Sequence, residues 1–278
     1  PATALFKSEH AATTRMSETP APSETGPSTV AAFVGATGGA GTTRTVVEVA
    51  SALAADGRTV AVLDAAFATQ GLADYVDGRF DPAITGLLAD TGDGPPAHSR
   101  LSAGLYGFDA GDTPGEVAVC PAYAPFTRLA RAKSTTAAER FESLIGTAAG
   151  RFDCVLLDVP PIATNQAVAA VSAADTVTIV APATPRGAEG TQRCHERLAD
   201  VGSEASLVVS TRGELETADI AVPSAGADGV GSAPACLGGE AFGAAIERVA
   251  AAVTGRELRE VTDDDRGVLG AIGEYVGR

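Results

Sequence analysis

The stretch VGATGGAGTTRT, residues 34–45, lies between a short apolar run and a longer segment with helical periodicity. Gly38, Gly39 and Gly41 permit positive φ angles and let backbone N–H groups approach an anion closely. The helix that follows adds the partial positive charge of its N-terminus. The stretch therefore predicts a phosphate-binding loop between a strand and a helix, although it contains no lysine.

Beyond this loop, short apolar runs alternate with helical stretches. Strands that are apolar on both faces and alternate with helices indicate a doubly wound α/β fold, a mainly parallel sheet with helices on both faces. Ligands of such sheets bind at the carboxyl ends of the strands. Segments 78–115 and 223–238, which are rich in Gly, Asp, Pro and Ser, are predicted to be long loops. Strands are predicted at 29–36, 59–66, 116–122, 152–161, 175–183, 205–212 and 220–222, and helices at 42–57, 134–150, 186–200 and 239–254.

Composition divides the chain into three regions. Residues 1–28 have the composition of a disordered tail, and residues 29–255 form the folded domain. Residues 256–278 contain an acidic linker and a short C-terminal helix at 266–278, which is apolar on one face. Because three aspartates precede this helix and basic residues are few, docking on the domain or on a partner is favoured over contact with a membrane.

The net charge of the 278-residue chain is −15, and lysine occurs only at Lys7 and Lys133. Direct binding of nucleic acid is not expected, since phosphate contacts need lysine and arginine. Many carboxylates and few lysines are typical of extreme halophiles, in which salt screens the repulsion between like charges. The four cysteines form no CxxC pair, and no run of about 18 apolar residues is present, so a reducing cytoplasm is predicted.

From about residue 29 to 255 the chain resembles the ParA/MinD family of P-loop ATPases. The family loop KGGxGKTT corresponds to TGGAGTTR at residues 37–44. Thr37 and Thr42 stand where the family has lysines, and Thr43 stands at its magnesium-binding hydroxyl. FDCVLLDVPP is similar to the family's Walker B strand, and AADTVTIVAP follows its AADxVxIVxxP pattern.

The resemblance also implies a site for Mg-ATP or Mg-ADP. The magnesium shell would consist of Thr43, Asp64 and Asp158. Asp64 matches the first acid of the family's DxD switch, whereas Ala66 replaces the second acid, which in the family helps to position the attacking water. The nucleotide itself would be bound by Gly38, Gly39, Ala40, Gly41, Thr42, Thr43, Ser210 and Pro223.

Loss of both lysines and of the second acid implies weak nucleotide binding and little or no hydrolysis, because each transition-state donor contributes strongly to the rate. By resemblance, the chain is a nucleotide-binding or pseudo-ATPase protein in spatial organisation, such as partitioning, division or the positioning of motility machinery. The family acts through nucleotide-gated dimers, so a homodimer and a protein partner are implied. A slow but genuine ATPase with an unorthodox loop is an alternative.

A second alternative comes from the same loop. Residues 35–41, GATGGAG, match the loop GATGxxG of atypical short-chain dehydrogenases, and Asp64 ends the next strand, where such a fold binds a ribose. Neither lysine has a tyrosine four residues before it, so the Tyr-x-x-x-Lys pair of that group is absent. The alternative is an NAD(P)-binding oxidoreductase or sensor.

Overall fold

A computed structural model of the chain describes residues 27–89, 97–226, 229–238 and 241–258. The predicted C-terminal helix at 266–278 and residues 1–26 of the predicted tail lie outside the described residues. Within the part of the chain that is described, no helix is both long and apolar enough to cross a membrane.

The described residues form one sheet in the order β3-β4-β2-β5-β1-β6-β7-β8. Every neighbouring pair is parallel except β3 and β4, so the antiparallel strand lies at the edge. The prediction of a mainly parallel α/β sheet is confirmed. The strands are β1 Thr29–Gly35, β2 Thr59–Asp64, β3 Tyr106–Phe108, β4 Glu116–Cys120, β5 Cys154–Val159, β6 Thr176–Pro182, β7 Leu207–Thr211 and β8 Ile220–Val222.

Helices cover both faces of the sheet, and each face has its own apolar core. Val46 and Leu53 of α1 pack with Ile246 of α8 in one core, whereas Phe141 of α5 and Leu198 of α7 belong to the other. Three short 3-10 turns lie at Gly71–Tyr75, Val230–Ser232 and Cys236–Gly238. The helices are α1 Thr42–Ala55, α2 Ile84–Ala89, α3 Ala97–Gly104, α4 Phe126–Ala132, α5 Thr135–Ala149, α6 Asn165–Ser172, α7 Pro185–Asp200 and α8 Ala241–Thr254.

The prediction of a long loop at 78–115 is wrong, because α2, α3 and β3 lie within it. Leu88, Leu101 and Tyr106 are buried there, so the segment contributes to the cores despite its glycines and prolines. Elements of three to eight residues give too little periodicity to stand out from such a composition. In the described residues of the predicted loop at 223–238, the last two 3-10 turns are the only regular elements.

Strand order bears directly on the dehydrogenase alternative. β1, which leads into the glycine loop, pairs with β5 and β6 and not with β2. The dinucleotide-binding fold has the order 3-2-1-4-5-6, in which the first two strands are neighbours. Here β5 lies between them, so Asp64 at the end of β2 faces Asp158 of β5 in register. The fold assumed by the dehydrogenase alternative is therefore wrong.

Candidate functional site

The glycine loop presents most of its backbone N–H groups without internal partners; the exception is the N–H of Ala40, which donates to the Thr37 carbonyl at 3.3 Å. Gly39 has a φ of 74° and Gly41 a φ of 88°, in the left-handed region that glycine adopts most readily. A side chain added at Gly38 or Gly39 would meet only open space. Among the described residues, no acceptor lies in hydrogen-bond range of the N–H groups of Gly38, Gly39, Gly41, Thr42 and Thr43. Successive N–H groups of this kind form a concave site for an anion.

Side chains from the end of β7 hold the loop's carbonyl groups. Thr211 Oγ1 donates a hydrogen bond to the Ala40 carbonyl at 2.7 Å, and Arg212 Nη2 donates to the Gly39 carbonyl, also at 2.7 Å. On another side of the loop, Gly190 of α7 packs against the loop backbone. A Cβ at this position would lie 2.8 Å from the Ala36 carbonyl oxygen. The loop is therefore fixed by its neighbours, and its N–H groups stay available.

The three residues predicted to hold magnesium lie together at the carboxyl ends of β2 and β5 and at the start of α1. Thr43 Oγ1 donates to Asp158 Oδ2 at 2.6 Å. Asp64 accepts backbone hydrogen bonds from Ala66 at 2.7 Å and Ala122 at 3.0 Å. Both carboxylates are buried. Since both Asp64 oxygens already accept a hydrogen bond, Asp64 also has a structural role.

Thr43 and Asp158 offer the hard oxygen ligands that Mg²⁺ prefers. Within the described ranges, no group of three or more His, Cys, Asp or Glu side chains converges as a metal site. An ion held here would therefore complete its shell with water and ligand phosphate oxygens, as Mg²⁺ commonly does in nucleotide sites.

Burial makes both carboxylates harder to ionise. Burial and, after it, the neighbouring charge of Asp158 raise the pKa of Asp64 from 3.8 to about 7, against its two backbone hydrogen bonds. Burial raises the pKa of Asp158 to about 6, against the hydrogen bond from Thr43. A divalent cation would favour the ionised pair, so proton and metal binding are linked here.

These pKa shifts predict a pH-dependent stability. A carboxyl whose pKa is raised by folding binds its proton more tightly in the folded state, so stability falls as pH rises from the unfolded pKa of 3.8 through the folded values. Without Mg²⁺, we expect a higher melting temperature at about pH 5 than at about pH 8, and a smaller difference in Asp64→Asn. Thermal unfolding followed by circular dichroism measures this. Equal pH dependence in both proteins would contradict it.

A cleft of about 150 Å³ lies beside the loop. Pro223, which is predicted to contact the nucleotide, is one of the residues that line it. Ser210 does not line it, because its buried hydroxyl donates to the Gly213 carbonyl at 2.8 Å. Its predicted contact with adenine would need that hydrogen bond to break. The cleft is lined by Gly41, Arg44, Thr45, Tyr75, Thr211, Arg212, Val222, Pro223, Ser224, Ala225 and Phe242.

Thr211 and Arg212 were missed as site residues, although they directly follow Ser210. Side chains alternate between the two faces of a strand, so Thr211 faces away from Ser210 and toward the loop. That alternation is the signal in the sequence that could have identified Thr211.

Arg44 and Glu48 of α1 connect the loop's helix to residues 229–236. Arg44 Nε lies 2.5 Å from Glu48 Oε1, and its Nη atoms donate to Gly229 and Ser232 at 3.2 Å. Glu48 is buried and accepts the N–H groups of Ala235 and Cys236. Residues 229–236 are therefore bound to the helix that begins at the glycine loop.

The fold is that of known P-loop ATPases. The structure is similar to the cell division ATPase MinD of Pyrococcus furiosus, with a TM-score of 0.62 and 17% identity over 81% of this chain and 98% of that one. It is also similar to a ParA family ATPase from Chlorobium tepidum, with a TM-score of 0.61 and 16% identity over 80% of this chain and 98% of that one. No family model and no curated protein sequence matches this chain.

An enzyme of different activity has the same fold. Cobyrinic acid a,c-diamide synthase from Mycobacterium smegmatis, with a bound ATP analogue and magnesium, has a TM-score of 0.60 and 17% identity over 84% of this chain and 99% of that one. At such identities, the three likenesses establish a ParA/MinD-like P-loop fold for this chain. Function has to be argued from the site.

Proposed function

We propose that this chain binds Mg-ATP or Mg-ADP weakly, hydrolyses little or none of it, and acts in a ParA/MinD-like system that positions other cell components. The observation that carries the proposal is a loop in which most backbone N–H groups are free for phosphate, while the lysines of the family loop are missing. Binding and catalysis use different groups in such sites, and this chain retains mainly the groups for binding.

The groups for binding are arranged around the loop. The N–H groups without a partner between Gly38 and Thr43, those other than Ala40, would hold the phosphates. Thr43 and Asp158 would hold Mg²⁺. The cleft lined by Pro223 would accept the base and ribose. The ion, when bound, supplies charge neutralisation at the phosphates.

Three of the groups that the ParA/MinD family uses for hydrolysis are replaced in this sequence, by Thr37, Thr42 and Ala66. Thr37 is buried against Gly190, and the Thr42 hydroxyl lies 2.8 Å from where a Cβ on Gly35 would be. Ala66 is buried where the family's second acid would stand. Loss of one transition-state donor lowers rates on the order of 100- to 1000-fold, so the loss of three supports a pseudo-ATPase over a slow ATPase.

A protein partner and a homodimer are part of the proposal. Tyr123 is 55% exposed and Phe126 is 84% exposed, on the segment that follows β4. Exposed aromatic side chains are enriched at protein interfaces. The same segment contains Ala122, whose N–H is bonded to Asp64, so a partner bound there would touch a segment fixed to the site.

Isothermal titration calorimetry with ATP, ADP, GTP and NAD(P)H, in Mg²⁺ and molar KCl, tests the proposal. We expect weak heats for ATP and ADP, no phosphate release, and loss of the Mg²⁺ dependence in Asp158→Asn. Turnover by the wild-type protein would establish the slow ATPase instead. Binding of NAD(P)H alone, or of no nucleotide, would refute the proposed ligand.

A further inference from the structure

A phosphate site without a lysine needs another source of positive charge. Among the described residues, the only cationic side chains that line the cleft are those of Arg44 and Arg212. Lys133 does not line it; this residue lies between α4 and α5, and its carbonyl accepts a hydrogen bond from Asn165. The candidates are therefore the two arginines.

Arg44 already has a full set of partners. Its Nε pairs with Glu48, and both terminal nitrogens donate to residues 229 and 232. The charge of Glu48 neutralises the charge of Arg44. If this guanidinium bound a ligand instead, its hydrogen bonds to residues 229 and 232 would break. The role of Arg44 is therefore structural.

Arg212 is placed differently. Its side chain is exposed, and one terminal nitrogen contacts the loop itself through the Gly39 carbonyl at 2.7 Å. Within the described part of the chain, no carboxylate pairs with it. A guanidinium carries several N–H donors in a rigid fork, so donors remain for a ligand oxygen beside the loop.

The backbone of Arg212 supports a functional role. Its φ of 61° lies in the left-handed region, which costs energy for a residue that has a Cβ. The bond from its own N–H to the Val222 carbonyl at 2.9 Å keeps the residue there, at the point where the cleft and the loop meet. Unfavourable backbone conformations of this kind concentrate at ligand sites.

We propose that Arg212 supplies, for the bound phosphates, part of the positive charge that the missing loop lysines would supply. This inference rests on the proposed function, because it concerns the same ligand. Arg212 would touch both the loop carbonyl and the ligand, and so would act as a binding residue.

The test compares Arg212→Gln, which removes the charge, with Arg212→Lys, which keeps it. Arg248→Gln, at an exposed arginine in the middle of α8, is the matched control. Affinity for Mg-ADP is measured by calorimetry at several KCl concentrations. Thermal unfolding of each variant shows that it is folded. Arg212→Gln combined with Thr42→Lys asks whether a lysine in the loop restores what was lost.

We expect Mg-ADP to bind about 10- to 100-fold more weakly to Arg212→Gln, as for a lost charge-assisted hydrogen bond. Its affinity should also depend less steeply on salt than that of the wild type. Arg212→Lys, and Thr42→Lys in the Arg212→Gln background, should recover most of the loss, and Arg248→Gln should match the wild type.

Two results would overturn the inference while nucleotide binding by the wild type stands. One is unchanged affinity in Arg212→Gln. The other is an affinity loss with an unchanged salt dependence that lysine does not recover, which would show that Arg212 only shapes the loop. Absence of Mg-ADP binding in the wild type would overturn the proposed function and this inference together.

Discussion

Replacement of Glu48 by alanine is expected to lower the free energy of unfolding by about 3–5 kcal/mol, the usual cost of removing one partner from a buried ion pair. Glu48 is buried, and its carboxylate accepts hydrogen bonds from two backbone N–H groups and pairs with Arg44. The variant would leave the N–H groups of Ala235 and Cys236 and the Nε–H of Arg44 without their acceptor. Urea denaturation followed by circular dichroism measures the loss.

The chain offers a matched control for this prediction. Glu189 pairs with Arg193 at the same helical spacing, but both side chains are at least half exposed. Glu189→Ala should change stability by about 0.5 kcal/mol or less, because water screens and solvates such a pair. Glu48→Gln retains an acceptor oxygen, so its loss of stability should lie between those of Glu48→Ala and Glu189→Ala. If Glu48→Ala lowered the free energy of unfolding by no more than Glu189→Ala, the hydrogen bonds and ion pair around Glu48 would not stabilise the fold.

Thr42→Lys is expected to raise the affinity for Mg-ATP by about tenfold or more, the effect of one added charge-assisted contact. Position 42 opens α1, directly after Gly41, so the new ammonium would join the N–H groups already present. Hydrolysis should stay close to background, because Ala66 leaves the attacking water without the second acid. Calorimetry and a phosphate-release assay separate the two effects.

Thr42→Met is the control for this gain, since methionine fills similar space without charge. It should bind Mg-ATP no better than the wild type. If Thr42→Lys bound less tightly than the wild type, the loop would work by a chemistry of its own, and lysine loss would not explain its weakness. Rapid turnover in Thr42→Lys would mean that Ala66 is no obstacle to catalysis.

The parts of the fold that follow local rules were predictable. The glycine loop, the strand before it and the helix after it follow from glycine chemistry and apolar periodicity, and α1 begins at Thr42 as predicted. The meeting of Thr43 with Asp158 was implied by the resemblance to the ParA/MinD family, and it agrees with the rule that ligand sites lie at the carboxyl ends of parallel strands. These features could be predicted from short segments of the sequence together with the fold class.

The parts that depend on distant contacts were not predictable. In the sequence, Glu48 looks like any acidic residue of a helix, and only the folded structure shows that it binds residues 235 and 236. Arg212 likewise looks like a loop arginine, and only the fold shows its contact with Gly39. Their partners are more than 170 positions away in sequence. In segment 78–115 the difficulty is local: the helices and the strand are short, and the glycines and prolines around them predict a loop.

The strand order also determines when the loop can form. β1 pairs Thr29 with Cys154 and Ala31 with Thr176, so neither of its neighbours exists until more than half of the chain has been made. Pairing across such separations is slow, since a large loop must close first. During synthesis, the apolar β1 therefore stays unpaired, and in that state it can aggregate or be bound by chaperones. A chain that stops before β5 would contain every glycine of the loop and have no strand to hold it in place.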